Sequence, residues 1–346
     1  MPASNLASTG SPQSFTDPQV FDAEIDKVFR EGWVCVAHVS QLRAPGDFVT
    51  ADLFGAPIVV VRGKDDEIRA LSNVCLHRAM PIASGTGNTH VLTCPYHLWA
   101  YDLDGQLKSM PLVGKDSGID VSAYRLPCLK TEVWEGFVFA TRNRDAEPLA
   151  AQLVDLTNLV APFKMAELEE VGTLTYASPW NWKVLVENFM EAYHHIGPHH
   201  DTLQPANPAL LSGRAAGEGP FSVLEMPPVD ADHDPLWAMC IYPNMLFALV
   251  PNKDRTYLTW YQMTNMRADS FDLTVHVYLD KTRAGVPDEA QGAVALTDMV
   301  HQEDIPMCDG VWRGLQSPYA IKGPLAPGLE APLAHFRAWV DEQLAP

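Results

Sequence analysis

No run in this 346-residue chain approaches the length of about eighteen apolar residues that a bilayer-spanning helix needs, although 47% of its residues are hydrophobic. A membrane span is therefore not expected. The opening Met1-Pro2-Ala3-Ser4-Asn5 lacks the basic stretch and apolar core of a secretory signal, so a soluble, cytoplasmic protein is expected. Positive charge is scarce: 24 Lys and Arg stand against 43 Asp and Glu, a formal charge of −19. Surfaces that bind phosphate backbones carry a cationic excess, so nucleic acid is excluded as a partner. An acidic surface of this kind favours solubility. Cysteine is sparse too, at six residues. Cys35, Cys128, Cys240 and Cys308 are scattered without the density of a disulfide framework, as in a reducing compartment. No Gly-x-Gly-x-x-Gly turn, internal repeat or low-complexity tract is present, so a nicotinamide or flavin dinucleotide site is not expected in this chain.

The chain is long enough for two domains, each with its own core. Residues 1–14 read as disordered, and Asp17-Pro18 reads as the N-cap and first position of a helix running toward Glu31. Short strands follow at Phe48–Thr50, Ala56–Arg62 and Ile68–Ser72, and another at Val133–Ala140. A polar stretch from Thr141 to Pro148 then reads as the linker. This divides the chain into a domain over 15–150, carrying the N-terminal helix, and a second over 151–346. In the second, Ile241–Val250, Tyr257–Met263 and Phe271–Leu279 predict an antiparallel meander. Helical stretches near 288–315 and 332–343 would cover it, giving an α+β layer.

Two of the cysteines lie in clusters that decide the chemistry. Cys75-Leu76-His77 and Cys94-Pro95-Tyr96-His97 supply two thiolates and two imidazoles in a Cys-x-His and Cys-x2-His pattern. A [2Fe–2S] cluster with two cysteines on one iron and two histidines on the other takes this donor set, and the neutral ligands raise its potential. A Cys2His2 zinc site is the alternative for the same donors. The flanking Asn73, Pro95, Tyr96, Trp99 and Gly105 resemble the ligand loops of the Rieske [2Fe–2S] domain. Ala79 and Leu98 depart from that pattern, since the family commonly has glycine at both positions, and a Cβ restricts positive φ there.

A second metal-competent set lies on Asn181–His195, a segment of helical periodicity in which Asn188, Glu191 and His194 recur along one side of an otherwise apolar stretch. Gly197-Pro198 breaks the helix, which allows His199 to turn back toward His194. Two imidazoles and one carboxylate make the facial triad of non-heme iron(II), with open positions for oxygen and substrate. Spacing alone leaves Asp298, Glu303, Asp304 and Asp309 open as the carboxylate. His195 and His200 read as bystanders.

Asn-Trp-Lys-x4-Glu-Asn-Phe-Met-Glu-Ala-Tyr-His-x4-His with a downstream Gln-Glu-Asp resembles the catalytic domain of Rieske non-heme iron oxygenases, the terminal (alpha) subunits of ring-hydroxylating and demethylating systems. Together with the cluster loops, the resemblance runs from about Trp33 to the C-terminus. It implies an antiparallel β Rieske domain followed by a helix-grip catalytic domain. It implies Cys75, His77, Cys94 and His97 as cluster ligands, and His194, His199 and Asp304 as ligands of Fe(II) that activates O2. It also implies Glu191 as a bridge to His77 or His97 of a neighbouring subunit, Asn188 beside the iron, a homotrimer, and a separate NAD(P)H-dependent flavin reductase or ferredoxin.

The substrate implied is a small organic molecule, aromatic or quaternary ammonium, hydroxylated or oxidatively demethylated. cis-Dihydroxylation of an aromatic ring and a non-catalytic metal-containing binding protein are the alternatives. Glu at 191 and the Gln-Glu-Asp context resemble the monooxygenases of quaternary ammonium compounds. Trp237, Tyr242, Phe247, Trp260 and Tyr261 are candidates for an aromatic cage around a cation, and Arg255 or Arg313 for the partner of an acid.

Overall fold

The computed structural model describes residues 7–114 and 117–345, in two compact units: 29–149, and the residues up to Val28 together with 150–346. The division at Leu149 and Ala150 follows directly after the polar stretch Thr141 to Pro148. The N-terminal helix does not go with the first domain as expected. It belongs to the second unit, because Glu24 is buried there against Trp182 and Lys183. Of the stretch expected to be disordered, 1–6 lies outside the described residues, whereas Ser8 bridges to Pro324 and a helical turn begins at Gln13.

Unit 29–149 is built from three small antiparallel sheets: β1 (Val34–His38), β10 (Phe137–Thr141) and β9 (Lys130–Trp134); β4 (Ile68–Ser72), β3 (Pro57–Arg62), β2 (Asp47–Asp52) and β5 (Thr86–Asn88); and β6 (Leu92–Thr93), β7 (Ala100–Tyr101) and β8 (Leu107–Ser109). The run 133–140 is not one strand. Glu135 and Gly136 both have positive φ and turn β9 into β10, the backbone a two-residue hairpin of this twist requires. In β3, Ile58 to Val61 are all fully buried; Val59 and Val61 pack toward Cys75 and Cys94, while Ile58 and Val60 enter a second cluster. The strand thus anchors both cores, and the two cysteine loops sit on one of them.

The second unit opens with short helices α1 (Gln13–Thr16) and α2 (Pro18–Glu24), the latter capped by Asp17 accepting from the Gln19 N–H at 2.8 Å. After α3 (Leu149–Gln152) and α4 (Val154–Val160) comes a seven-stranded antiparallel sheet in the order β11 (Glu169–Ser178), β17 (Phe271–Leu279), β16 (Tyr257–Thr264), β15 (Met245–Val250), β14 (Leu236–Ile241), β13 (Phe221–Met226), β12 (Gly213–Arg214). The run 241–250 contains a hairpin at Tyr242-Pro243 rather than one strand, since proline has no N–H for the ladder.

Helix α5 (Trp182–Phe189) carries the first half of the polar stripe, and α6 (Lys281–Ala284) leads into the 29-residue α7 (Pro287–Leu315). α7 lies against β11 at Gly172, where a Cβ would come within 2.7 Å of Val294. C-terminal α8 (Ala331–Leu344) packs on β12 and β13. Lys183 and Glu24 are each 1% exposed and form an ion pair at 2.5 Å. Burial lowers the Lys183 ammonium from its ordinary range and Glu24 raises it in part. Among the described residues no helix is long and apolar enough to cross a membrane.

Candidate metal centres

The two cysteine loops share one backbone design. In the first, the Ala79 N–H donates to the Cys75 carbonyl (3.0 Å) and the Cys75 N–H to Met80 (2.9 Å). In the second, Leu98 donates to Cys94 (3.0 Å) and Cys94 to Trp99 (2.9 Å). Closing each loop needs a left-handed residue four places after the cysteine, and Ala79 (φ 57°) and Leu98 (φ 59°) take that conformation. These are the two positions where glycine was expected, and each side chain there works against its backbone by about 1–2 kcal/mol.

The loops hold both cysteines in the core and both histidines at the surface, with the rings of His77 and His97 4.6 Å apart. Trp99 stacks on His77 at 4.8 Å, and Tyr96 lies on His97 at 3.8 Å. The Tyr101 hydroxyl accepts from the Leu76 N–H and sits 3.3 Å from the Cys75 sulfur. Desolvation, with the charges of His77 and Arg78, lowers the pKa of His97, which favours the neutral imidazole a metal ligand must be. A single tetrahedral zinc would draw all four donors to within about 4 Å of one another. Among the described residues the group whose donors converge within 4.8 Å is another, His194, His199 and Asp304. Two thiolates inside and two imidazoles outside fit two irons rather than one ion.

The second centre is built where α5 ends early. The helix stops at Phe189 rather than continuing to His195, and a tight turn at Tyr193–Ile196 follows, fastened by Glu191, whose Oε2 accepts from the His194 N–H at 3.0 Å. His194 Nε2 and His199 Nε2 lie 3.5 and 3.0 Å from the same oxygen, Oδ1 of Asp304 on α7. Each Nδ1 faces a glutamate instead: His194 meets Glu191 Oε1 at 2.6 Å and His199 meets Glu303 Oε2 at 2.7 Å. Carboxylates on the far nitrogens fix both rings with Nε2 toward the common point, the arrangement of a carboxylate–histidine–metal relay.

The Asn188 amide donates to Asp304 Oδ1 at 3.2 Å. Burial would raise the Asp304 carboxyl, but the hydrogen bond and charge of His199, the charge of His194 and the Asn188 amide hold it below the usual range. Burial likewise pulls His199 down, and Asp304 and Glu303 more than reverse it. Three carboxylates around two imidazoles in a half-closed site is an environment that a bound cation balances. The residues therefore fit a mononuclear iron. His195 is buried behind the triad with Nδ1 3.2 Å from the Asn207 carbonyl, and His200 is exposed beside Asp201, both outside the triad.

Glu303 and Thr202 were not singled out as supports from the sequence. Thr202 donates to Glu303 Oε2 at 2.7 Å and so holds the carboxylate that holds His199. Neighbouring residues on a helix point about 100° apart, so Glu303 and Asp304 cannot both reach one ion. That spacing was the available signal.

Thr202 also lines a cavity of about 550 Å³ between α7 and the sheet, whose walls include Tyr257, Thr259 and Tyr261 of β16 and Arg255. Of the aromatics proposed for a substrate cage, Tyr261 lies there and Trp237, Tyr242, Phe247 and Trp260 do not. The cavity side of the sheet carries Leu236, Ala248, Thr259 and Tyr261, one residue out of step with Trp237, Phe247 and Trp260, so strand alternation sends those three to the opposite face. Tyr242, in the hairpin, packs on Phe336 and Trp339 of α8. Arg313 pairs with Asp309 near the exposed end of α7, away from the lining.

Comparison with known proteins agrees with these two centres. Residues 32–130 match the Rieske [2Fe-2S] domain, and residues 165–222 and 216–346 match the ring hydroxylating alpha subunit (catalytic domain). Carnitine monooxygenase oxygenase subunit of Acinetobacter pittii (strain PHEA-2) is 37% identical over 189 residues, 54% of this chain and 51% of that protein. The chain thus spans about half the length of these curated relatives in the match. Chloroplastic choline monooxygenase of Spinacia oleracea is 24% identical over 347 residues, covering 95% and 77%. Among solved structures, a quaternary ammonium Rieske monooxygenase described for carnitine oxidation by gut microbiota and inter-subunit electron transfer superposes with a TM-score of 0.87 at 26% identity, covering 99% of this chain and 96% of that one. With its catalytic-domain match running over more than half its length behind a Rieske [2Fe–2S] domain, the chain belongs to the ring-hydroxylating alpha subunit family.

Proposed function

We propose that this chain is the terminal oxygenase of a multicomponent system that hydroxylates, or oxidatively demethylates, a quaternary ammonium compound. The observation that carries the proposal is the convergence of His194, His199 and Asp304 beside a partly open cavity, in a chain whose other unit holds a Cys2His2 pair of loops. Iron held by the triad would activate dioxygen with electrons supplied through a [2Fe–2S] cluster on Cys75, His77, Cys94 and His97.

The chain's own residues would do the rest. Glu191 and Glu303 keep each imidazole in the tautomer that offers Nε2. Asn188 steadies Asp304. The mainly apolar cavity walls would limit the water around the reacting C–H bond.

Glu191 has both oxygens on His194, yet a carboxylate accepts about four hydrogen bonds. A spare lone pair can therefore take the exposed imidazole of His77 or His97 from a second copy, in a homotrimer that passes electrons between subunits. The inter-subunit transfer described for the similar solved structure supports this reading. The absence of a dinucleotide motif calls for a separate reductase or ferredoxin.

Monooxygenation is preferred to ring cis-dihydroxylation because the curated relatives are monooxygenases of carnitine and choline. A non-catalytic binding protein would not require three metal-competent donors at one point. Reconstitution with a surrogate reductase, NADH and ¹⁸O₂ tests the proposal on a panel of trimethylammonium compounds and aromatic acids. A labelled product from a trimethylammonium compound is expected, matched to oxygen uptake. Product formed solely from aromatic acids would refute the substrate class, and no labelled product from any compound would refute the activity.

A further inference from the structure

The cavity is long, and its length constrains the substrate. A volume of about 550 Å³ lies in the range of roughly 300–1,000 Å³ that encloses a drug-sized molecule. Along α7 its wall runs through Glu289, Gly292, Ala293, Leu296, Thr297 and Val300, a stripe of eleven residues' rise, about 16 Å. Asp304 lies one further turn along, about 6 Å past Val300. An extended carbon chain advances about 1.3 Å per atom for 1.5 Å bonds, so a four-carbon betaine spans about 5 Å and leaves most of this channel empty.

The middle of the channel is apolar, with Leu203, Leu236, Ala248, Val250 and Leu296 on its walls. Two of its hydroxyls are engaged, since Tyr257 is hydrogen-bonded to Thr297, which also bonds the Ala293 carbonyl. The outer end changes character. Arg255 and Arg283 both line it, Arg255 against Asp234 at 2.7 Å and Arg283 against Glu289 at 2.6 Å, and Arg283 reaches the Arg255 carbonyl at 3.3 Å. A guanidinium has five donors, and one carboxylate uses only one edge of it. The two acids orient the arginines and balance their charge while leaving donors for a ligand.

Glu289, the partner of Arg283, is fifteen residues from Asp304 on the same helix, about 22 Å. About 3 Å at each end separates a ligand from the groups that hold it, so about 16 Å of that span, roughly twelve carbons, is left for the ligand, and a short betaine held at the triad cannot reach the arginines. Resting on the quaternary ammonium reading above, we infer that the substrate is an elongated amphiphile. Its trimethylammonium head sits at the triad, an apolar chain of about ten to twelve carbons lies along α7, and an anionic terminus meets Arg255 and Arg283.

The test uses ω-trimethylammonio carboxylates of four, eight and twelve carbons and the methyl ester of the longest. Binding to the reconstituted holoenzyme is measured by anaerobic calorimetry, and turnover by product. Affinity is expected to rise roughly threefold per added methylene up to the longest chain. The acid is expected to bind at least tenfold better than its ester, and Arg283→Gln to remove that preference, with Arg255→Gln as a second variant should the first fold poorly. Equal affinity for the four- and twelve-carbon acids would overturn the elongated shape while leaving the quaternary ammonium reading intact. An acid-to-ester ratio untouched in folded Arg283→Gln or Arg255→Gln protein would overturn the anionic terminus. Failure of every trimethylammonium compound to bind or react would overturn both the inference and the reading beneath it.

Discussion

Replacing Glu303 should weaken iron binding although Glu303 is not expected to touch the metal. Its Oε2 receives both His199 Nδ1 and the Thr202 hydroxyl at 2.7 Å, so the carboxylate is fixed from two sides and fixes the ring in turn. His199 is 1% exposed, and Glu303 is the acceptor that its Nδ1–H meets. An unmet buried donor costs about 1–3 kcal/mol, and loss of an outer-shell partner of a ligating histidine typically lowers metal affinity about 10–100-fold. Glu303→Gln keeps an acceptor oxygen and loses the charge, so about tenfold is expected, or roughly 1.4 kcal/mol. Glu303→Ala should approach a hundredfold. Thr202→Val, which leaves the carboxylate in place but less restrained, should change affinity only by a few-fold. Anaerobic competition between the protein and a ferrous chelator gives the affinities, and the visible spectrum of Co(II)-substituted protein reports the ligand field. Glu303→Ala binding iron within twofold of the native chain, with an unaltered cobalt spectrum, would refute the reasoning.

Ala79→Gly and Leu98→Gly should each stabilise the 29–149 unit by about 0.5–1 kcal/mol, because relief at positive φ exceeds the added unfolded-state entropy; denaturant unfolding of folded cluster-loaded protein measures it, and a loss of stability would contradict the loop account. Glu24→Gln should destabilise by about 3 kcal/mol by leaving the buried Lys183 ammonium without its counter-charge, whereas the pair Glu24→Met with Lys183→Met should recover most of that loss, read as midpoint shifts in urea. Burial, reinforced by the charge of His194, pushes His195 down to about 4 from its ordinary 6.5. Its neutral form therefore stabilises the fold fully above about pH 6.5, and up to about 3 kcal/mol is lost as the pH falls toward 4. Unfolding free energies between pH 7 and 4.5 should fall less steeply in His195→Gln than in the native chain, and parallel slopes would count against the assignment.

Much of this was legible because ligand spacing is a local property. Cys-x-His and Cys-x2-His fix their loops within a few residues, and the unexpected Ala79 and Leu98 marked the two left-handed positions before any coordinates. β17 was bounded well because its alternating pattern is uninterrupted, and α7 because its helical pattern is long and carries on past the internal Pro306. The errors arose where a single residue decides. Glu135-Gly136 and Tyr242-Pro243 fold apparently continuous apolar runs into hairpins, and the hidden turn at 242 removes any register anchor for choosing a face. Trp237, Phe247 and Trp260, offered as candidates for a substrate cage, lie behind the sheet, among the core residues that strand aromatics usually join. β11 escaped notice because its alternating, half-exposed residues carry little apolar signal. The fate of the N-terminal helix depends on Glu24 meeting Lys183 across 159 residues, which no local pattern encodes.

The central claim is that one chain holds a [2Fe–2S] cluster and a separate mononuclear iron. Metal and acid-labile sulfide analysis of anaerobically purified protein, alongside His194→Ala and His77→Ala variants, tests it most directly. About three irons and two sulfides per chain are expected, with one iron lost in His194→Ala and the sulfide lost in His77→Ala. Zinc without sulfide, or a His194→Ala variant that retains all its iron, would contradict the account.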